Sequence, residues 1–161
     1  MDRKSHKPWA ITRNVFGALF AGCCLMIVIG ALVPMPEPRI PLNHMRTAHG
    51  VVQLISAERG YAERFPASGF TCDLRQLEQA GLIDSVLASG EKDGYHYELN
   101  GCDTKAAASV FSLTAVPKAQ DKTGKFAFCA NQEGVLWYAK GGATEQCFKA
   151  QTRWTKSDAW R

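Results

Sequence analysis

Acidic residues are missing from one long stretch of this 161-residue chain, and familiar catalytic motifs are missing from all of it. No Gly-x-Ser-x-Gly, His-Glu-x-x-His or P-loop pattern occurs, which removes the common signatures of serine hydrolases, zinc proteases and nucleotide-cradling enzymes. Histidine is scarce beyond residue 35, where only His44, His49 and His96 occur. His44 and His49 are five apart and do not share a helix face as residues four apart would. No two of Cys72, Cys102, Cys129 and Cys147 have the close spacing of a zinc knuckle or a Cys-x-x-Cys redox pair. Glu91, Asp93 and Glu98 lie near Gly90 and Gly94 without the ligand order of an EF-hand, and read as a solvated turn. No metal, cofactor or catalytic residue is expected, because a reaction needs a nucleophile, a base and an orienting group. Internal repeats and low-complexity tracts are absent too.

Basic charge is equally thin outside the first 13 residues. The net charge is +4. Arg3, Lys4, Lys7 and Arg13 against Asp2 supply three of those units, and residues 14–161 carry the remaining one. A nucleic-acid partner is therefore not expected, since that reading needs basic residues clustered on the folded domain.

Apolar residues, in contrast, are plentiful at 46%, which argues against general disorder. Residues 14–35 form an uncharged run from Asn14 to Met35. As a helix it could extend about 33 Å, against a hydrocarbon core of about 30 Å. Pro34, Pro36, Pro38 and Pro41 mark its end. The basic residues before it place the N-terminus in the cytoplasm and residues 36–161 outside. The expected layout is a basic tail (1–13), a single-pass inner-membrane anchor touching lipid (14–35), a Pro-rich linker (36–42), an exterior domain (43–148) and a C-terminal tail (149–161). Two other fates of the run stay open. Phe20-Ala21-Gly22-Cys23 is similar to a bacterial lipobox with Cys23 as the lipidated residue, and a cleaved signal peptide has the same basic start and apolar centre.

Four cysteines in an exported domain suggest two disulfides with three pairings open. Sequential pairing, Cys72–Cys102 and Cys129–Cys147, closes the short loops and is the expected one.

The exterior part reads as α+β. Met45, Ala48, Val52 and Ile55, widened by Val51 and Leu54, recur at helical steps over Leu42–Tyr61, with Asn43 as N-cap and Gly60 near the end. Asp73–Ala80 and Ile83–Ala88 read as short helical pieces stopped by Gly81 and Gly90. The period then changes. Tyr95, Tyr97 and Leu99 alternate with His96 and Glu98, and strands are predicted there, over Val110–Val116, over Phe126–Ala130 and over Val135–Ala139. Residues 131–134 form a short turn-rich link. About four strands in an antiparallel meander follow from this. Trp154 and Trp160 lie in a polar C-terminal stretch whose placement the pattern leaves open.

Several segments together carry a resemblance: Arg46-Thr47-Ala48 through Gly60-Tyr61, Gly81-Leu82-Ile83-Asp84-Ser85-Val86-Leu87-Ala88-Ser89-Gly90, Gly94-Tyr95 with the strand after it, and Asn131-Gln132-Glu133-Gly134-Val135. They resemble the head domain of bacterial type IV pilin-like proteins, in particular the group related to type II secretion pseudopilins. The resemblance spans about residues 42–140. It implies a long helix packed on a small antiparallel sheet, and assembly or surface-interaction work in place of catalysis. The pilin cleavage pattern and its glutamate are missing, because Gly17-Ala18-Leu19-Phe20 leads into a run without any acid. The expectation is thus a pilin-like head on a retained anchor, contacting pilus or secretion-system proteins from the periplasm. A ligand- or peptide-binding ectodomain is the alternative, with Trp137 and Tyr138 as its candidate surface.

Overall fold

The computed structural model describes residues 39–102 and 107–161. The basic tail, the 14–35 run and Cys23 lie outside them. Among the described residues no helix is long and apolar enough to cross a membrane.

Helix α1 spans Arg39–Arg64. Its buried residues include His44, Thr47, Val51, Leu54, Ile55 and Glu58, a three- and four-residue spacing that keeps one face toward the sheet. This corrects the sequence reading in three places. Met45 and Val52, placed in the apolar stripe, are 41% and 48% exposed. Asn43 does not cap the helix. It sits in the second turn and its Nδ2 donates to the Thr123 carbonyl at 2.9 Å. The Pro-rich linker ends earlier than residue 42, because 39–42 are already helical. Pro41 is tolerated there since the first turn's N–H groups have no helical acceptor.

Two short helices follow. In α2, Leu74–Gln79, the Asp73 side chain accepts from Arg75 N–H at 2.8 Å. In α3, Ser85–Ala88, Asp84 accepts from Leu87 N–H at 2.7 Å. Each cap satisfies a donor that the helix leaves free.

The sheet has five strands in chain order, all antiparallel: β1 Glu91–Lys92, β2 Tyr95–Asn100, β3 Ser112–Pro117, β4 Phe126–Asn131 and β5 Trp137–Lys140. The meander was legible, and β1 is the strand beyond the expected four. Asp93 and Gly94, with φ of 52° and 79°, turn β1 into β2, the left-handed pair that two-residue hairpin turns require. A two-residue strand is too short to show an alternation. The alternation in β2 is as read, with Tyr95, Tyr97 and Leu99 buried.

β4 is buried on both faces. Phe126, Phe128 and Ala130 join Val51, Leu54, Tyr95, Tyr97 and Leu113 in the main core under α1. Cys129 faces the other way, toward Trp137 and Cys147. That second face is covered by α4, Thr144–Ala150.

The folded domain runs on past residue 148, and residues 149–161, whose placement the sequence pattern left open, pack against it. α4 crosses that boundary. Thr152 and Trp154 then run beside β5, with Tyr138 N–H donating to Thr152 O and Trp154 N–H to Leu136 O, both at 2.9 Å. Trp154 packs edge-on against Phe128 and Tyr138, with ring centroids at 4.8 and 5.3 Å. A 3-10 helix, Lys156–Trp160, ends the chain, closed by reciprocal Thr155–Asp158 capping. An apolar Trp154 in polar sequence was too sparse a pattern to place.

Candidate interaction surface

The two disulfides form as sequential pairing suggested. Cys72–Cys102 and Cys129–Cys147 have Cα separations of 5.9 and 6.0 Å. The first ties the segment after α1 to the end of β2. The second ties β4 to α4.

Trp137 and Tyr138 do not form a ligand surface. They are 6% and 8% exposed and, as neighbours on β5, point to opposite faces of the sheet. Trp137 packs against Cys129 and Cys147. Tyr138 packs in the main core, where its hydroxyl donates to Asp158 Oδ1 at 3.2 Å. Their aromatic character serves packing.

The buried ionisable groups are also occupied. His44, 1% exposed, accepts the Lys125 N–H at Nε2 (3.0 Å), which leaves Nδ1 to donate to the Ala159 carbonyl (3.1 Å). Burial pushes its pKa down, the Ala159 acceptor opposes that, and the Lys125 charge adds to it. The Glu58 carboxylate, fully buried, accepts from Thr71 N–H at 2.8 Å and Cys72 N–H at 3.1 Å. Burial raises its pKa and those two donors pull it back. Burial also raises Tyr95 and pushes Tyr97 up to about 12. His44 and Glu58 fall on the 44–47–51–54–58 spacing, so a polar residue on a core register was the available signal for both.

These groups brace the fold and do not converge on one cleft. Among the described residues no group of three or more His, Cys, Asp or Glu is placed to hold a metal ion. Glu91, Asp93 and Asp84 engage Lys118, Arg46 and Lys92 in surface ion pairs at 2.6, 3.8 and 3.5 Å.

Two surface features among the described residues offer area to a partner. An open groove runs between Leu42, Met45, Ala48 and Val52 of α1 and Leu136 and Trp154. At the end of the domain where α1 begins, Asp121, Lys125, Lys140 and Arg161 line a second cavity of about 390 Å³. The groove offers apolar area for a partner, and the cavity offers positive charge. Neither presents a nucleophile with its base.

No protein family, curated protein or solved structure matches the chain.

Proposed function

We propose that the chain is a membrane-anchored, non-enzymatic, pilin-like protein whose head faces the periplasm and contacts pilus or secretion-system components. The observation that supports this best is the 26-residue helix α1 packed on a sheet whose strands follow one another in chain order. That is the arrangement the resemblance implies. The uncharged 14–35 run, a few residues before α1, supports the anchor. The outward Met45 and Val52, beside a groove, support interaction through the helix. The reading as a ligand- or peptide-binding ectodomain rested on Trp137 and Tyr138 and loses that footing with their burial.

The test is photo-crosslinking from positions 45 and 52 in native bacterial membranes, followed by identification of the adducts. A pilus or secretion-system subunit joined at these positions, and not at buried position 54, is the expected result. Adducts only with abundant unrelated envelope proteins would overturn the proposal. Intact mass of the purified chain separates a retained anchor from lipidation at Cys23 or cleavage.

A further inference from the structure

We propose that the end of the head domain where α1 begins is a docking surface for anionic phospholipid headgroups. This rests on the membrane-anchored reading and names a second lipid-facing element of it, on the folded domain itself.

Three hydrogen bonds gather separate segments at that end. Asn43 reaches the Thr123 carbonyl at 2.9 Å, and His44 joins Lys125 N–H at 3.0 Å and the Ala159 carbonyl at 3.1 Å. The β3–β4 loop and the C-terminal 3-10 helix therefore sit beside the first turns of α1. Basic side chains outnumber acidic ones among the exposed residues brought there, with Arg39, Lys122, Lys125, Lys140 and Arg161 prominent. Lys125, Lys140 and Arg161 share the cavity of about 390 Å³ with one acid, Asp121. Of the other acids at this end, Asp158 is buried and engaged by Tyr138, Thr155 and Arg161, while Asp93 and Glu91, on the β1–β2 hairpin that packs beside Asn43 and Thr123, are paired with Arg46 and Lys118. Arg39, Lys122, Lys125 and Lys140 take no part in the ion pairs among the described residues. The opposite end of the domain is mixed, with Glu63, Asp73 and Glu78 interleaved with Arg64 and Arg75.

Trp160 is the second, independent observation. At 66% it is the most exposed of the exposed large apolar residues in the described part, on a helix pinned by the buried Asp158 and Ala159 and next to Arg161. An indole with an apolar body and a single N–H donor is the side chain that settles at the headgroup level of a bilayer. Solvent gives it nothing comparable.

Connectivity supplies the third argument. The chain enters α1 at this same end, directly after the apolar run and its prolines. A surface at the point of tethering meets the bilayer at high effective concentration. Modest attraction per charge is then enough, and it acts within about 8–10 Å of the headgroups. Phosphate oxygens fit a concavity lined by two lysines and an arginine.

The full chain, reconstituted into nanodiscs of phosphatidylcholine alone or mixed with phosphatidylglycerol, tests this. The readout is quenching of tryptophan emission by lipids brominated near the headgroup end of their acyl chains, with Trp160→Phe isolating the residue's share. Expected are a Trp160 component that appears with phosphatidylglycerol, falls in high salt, and drops about fivefold per lysine removed in Lys122→Gln, Lys125→Gln and Lys140→Gln variants. Near-UV circular dichroism checks that these fold. Equal quenching in both lipids, or no Trp160 component in either, overturns the proposal. So does suppression by inorganic phosphate but not by chloride at matched ionic strength, which would make the cavity a free-phosphate site. Carbonate extraction of the same chain from vesicles reads the anchor separately. A chain retained without the Trp160 component sinks the docking surface and keeps the anchor. A chain released, yet cosedimenting only with phosphatidylglycerol vesicles, sinks the anchor and keeps the surface.

Discussion

His44 Nδ1 donates to the carbonyl of Ala159 at 3.1 Å, joining the second turn of α1 to a residue 115 positions later. With Nε2 accepting from Lys125 N–H at 3.0 Å, one neutral imidazole holds the helix, the start of β4 and the C-terminal helix together. Phe126 packs on its ring at 4.6 Å.

Protonation would take away the lone pair that Lys125 N–H uses. Lys125 is the charged group that acts on this point. The folded-state pKa lies below the ordinary 6.5, chiefly through burial. Below about pH 6.5 the unfolded chain takes up a proton that the folded chain still refuses, so stability falls as pH drops toward the folded value and is unaffected above. Denaturant midpoints from pH 8 to 5, compared with His44→Gln, should show this component missing in the variant. An unchanged pH slope would refute it. Glu58, with its raised pKa, contributes with the opposite sign in the acid range, which is why the comparison with the variant is needed. His44→Ala should cost about 2–4 kcal/mol, from the cavity and the orphaned backbone groups.

Much of this fold was legible because it repeats at short range. The alternation in β2, the short helical pieces before Gly81 and Gly90 and the sequential disulfides are all local patterns. The misplaced centre of the α1 stripe has a physical cause: counting only apolar residues put Met45 and Val52 inside and overlooked His44, Thr47 and Glu58. A polar residue can occupy a core position when its partners come from far away, here residues 71, 72, 125 and 159. Such partners leave no local trace. The same holds for the cationic end, whose Lys122, Lys140 and Arg161 are scattered in sequence and gathered only by folding.

The two disulfides should differ in access. Cys129 and Cys147 are both fully buried, whereas Cys72 and Cys102 are only half-buried. Thiol–disulfide exchange needs the attacking thiolate to reach sulfur. Under native conditions a mild reductant should open Cys72–Cys102 first, read by alkylation and mass. Cys129–Cys147 should open only with unfolding. Replacing either pair with alanine should cost about 3 kcal/mol. Simultaneous opening of both bridges without denaturant would contradict the prediction.

Trp154→Ala should be among the costliest single changes, about 3–5 kcal/mol. Its ring fills the space among His44, Phe126, Phe128 and Tyr138. Its loss should also release the 3-10 helix, so proteolysis should begin within 152–161. Cleavage at the α2–α3 loop first would show that the C-terminal segment is held independently of this residue.

Gly50 sets helix propensity against packing. Alanine at a helix interior is favoured over glycine by about 1 kcal/mol. A Cβ at position 50, however, would lie 2.8 Å from the Tyr97 hydroxyl oxygen and 3.2 Å from its ring. That hydroxyl is buried and has no hydrogen-bond partner of good geometry, and the Thr47 hydroxyl nearby has none either. Tyr97→Phe should therefore be neutral or stabilising, since it removes an unsatisfied buried group. Gly50→Ala alone should destabilise, because the collision exceeds the propensity gain. The double variant should recover part of the loss, as the ring remains close after the oxygen is gone. A thermodynamic cycle over the four proteins measures this coupling, with about 1 kcal/mol of rescue anticipated. Strict additivity would mean that α1 moves away from β2 to admit the methyl group, and that the approach of Gly50 to Tyr97 does not fix the spacing between helix and sheet.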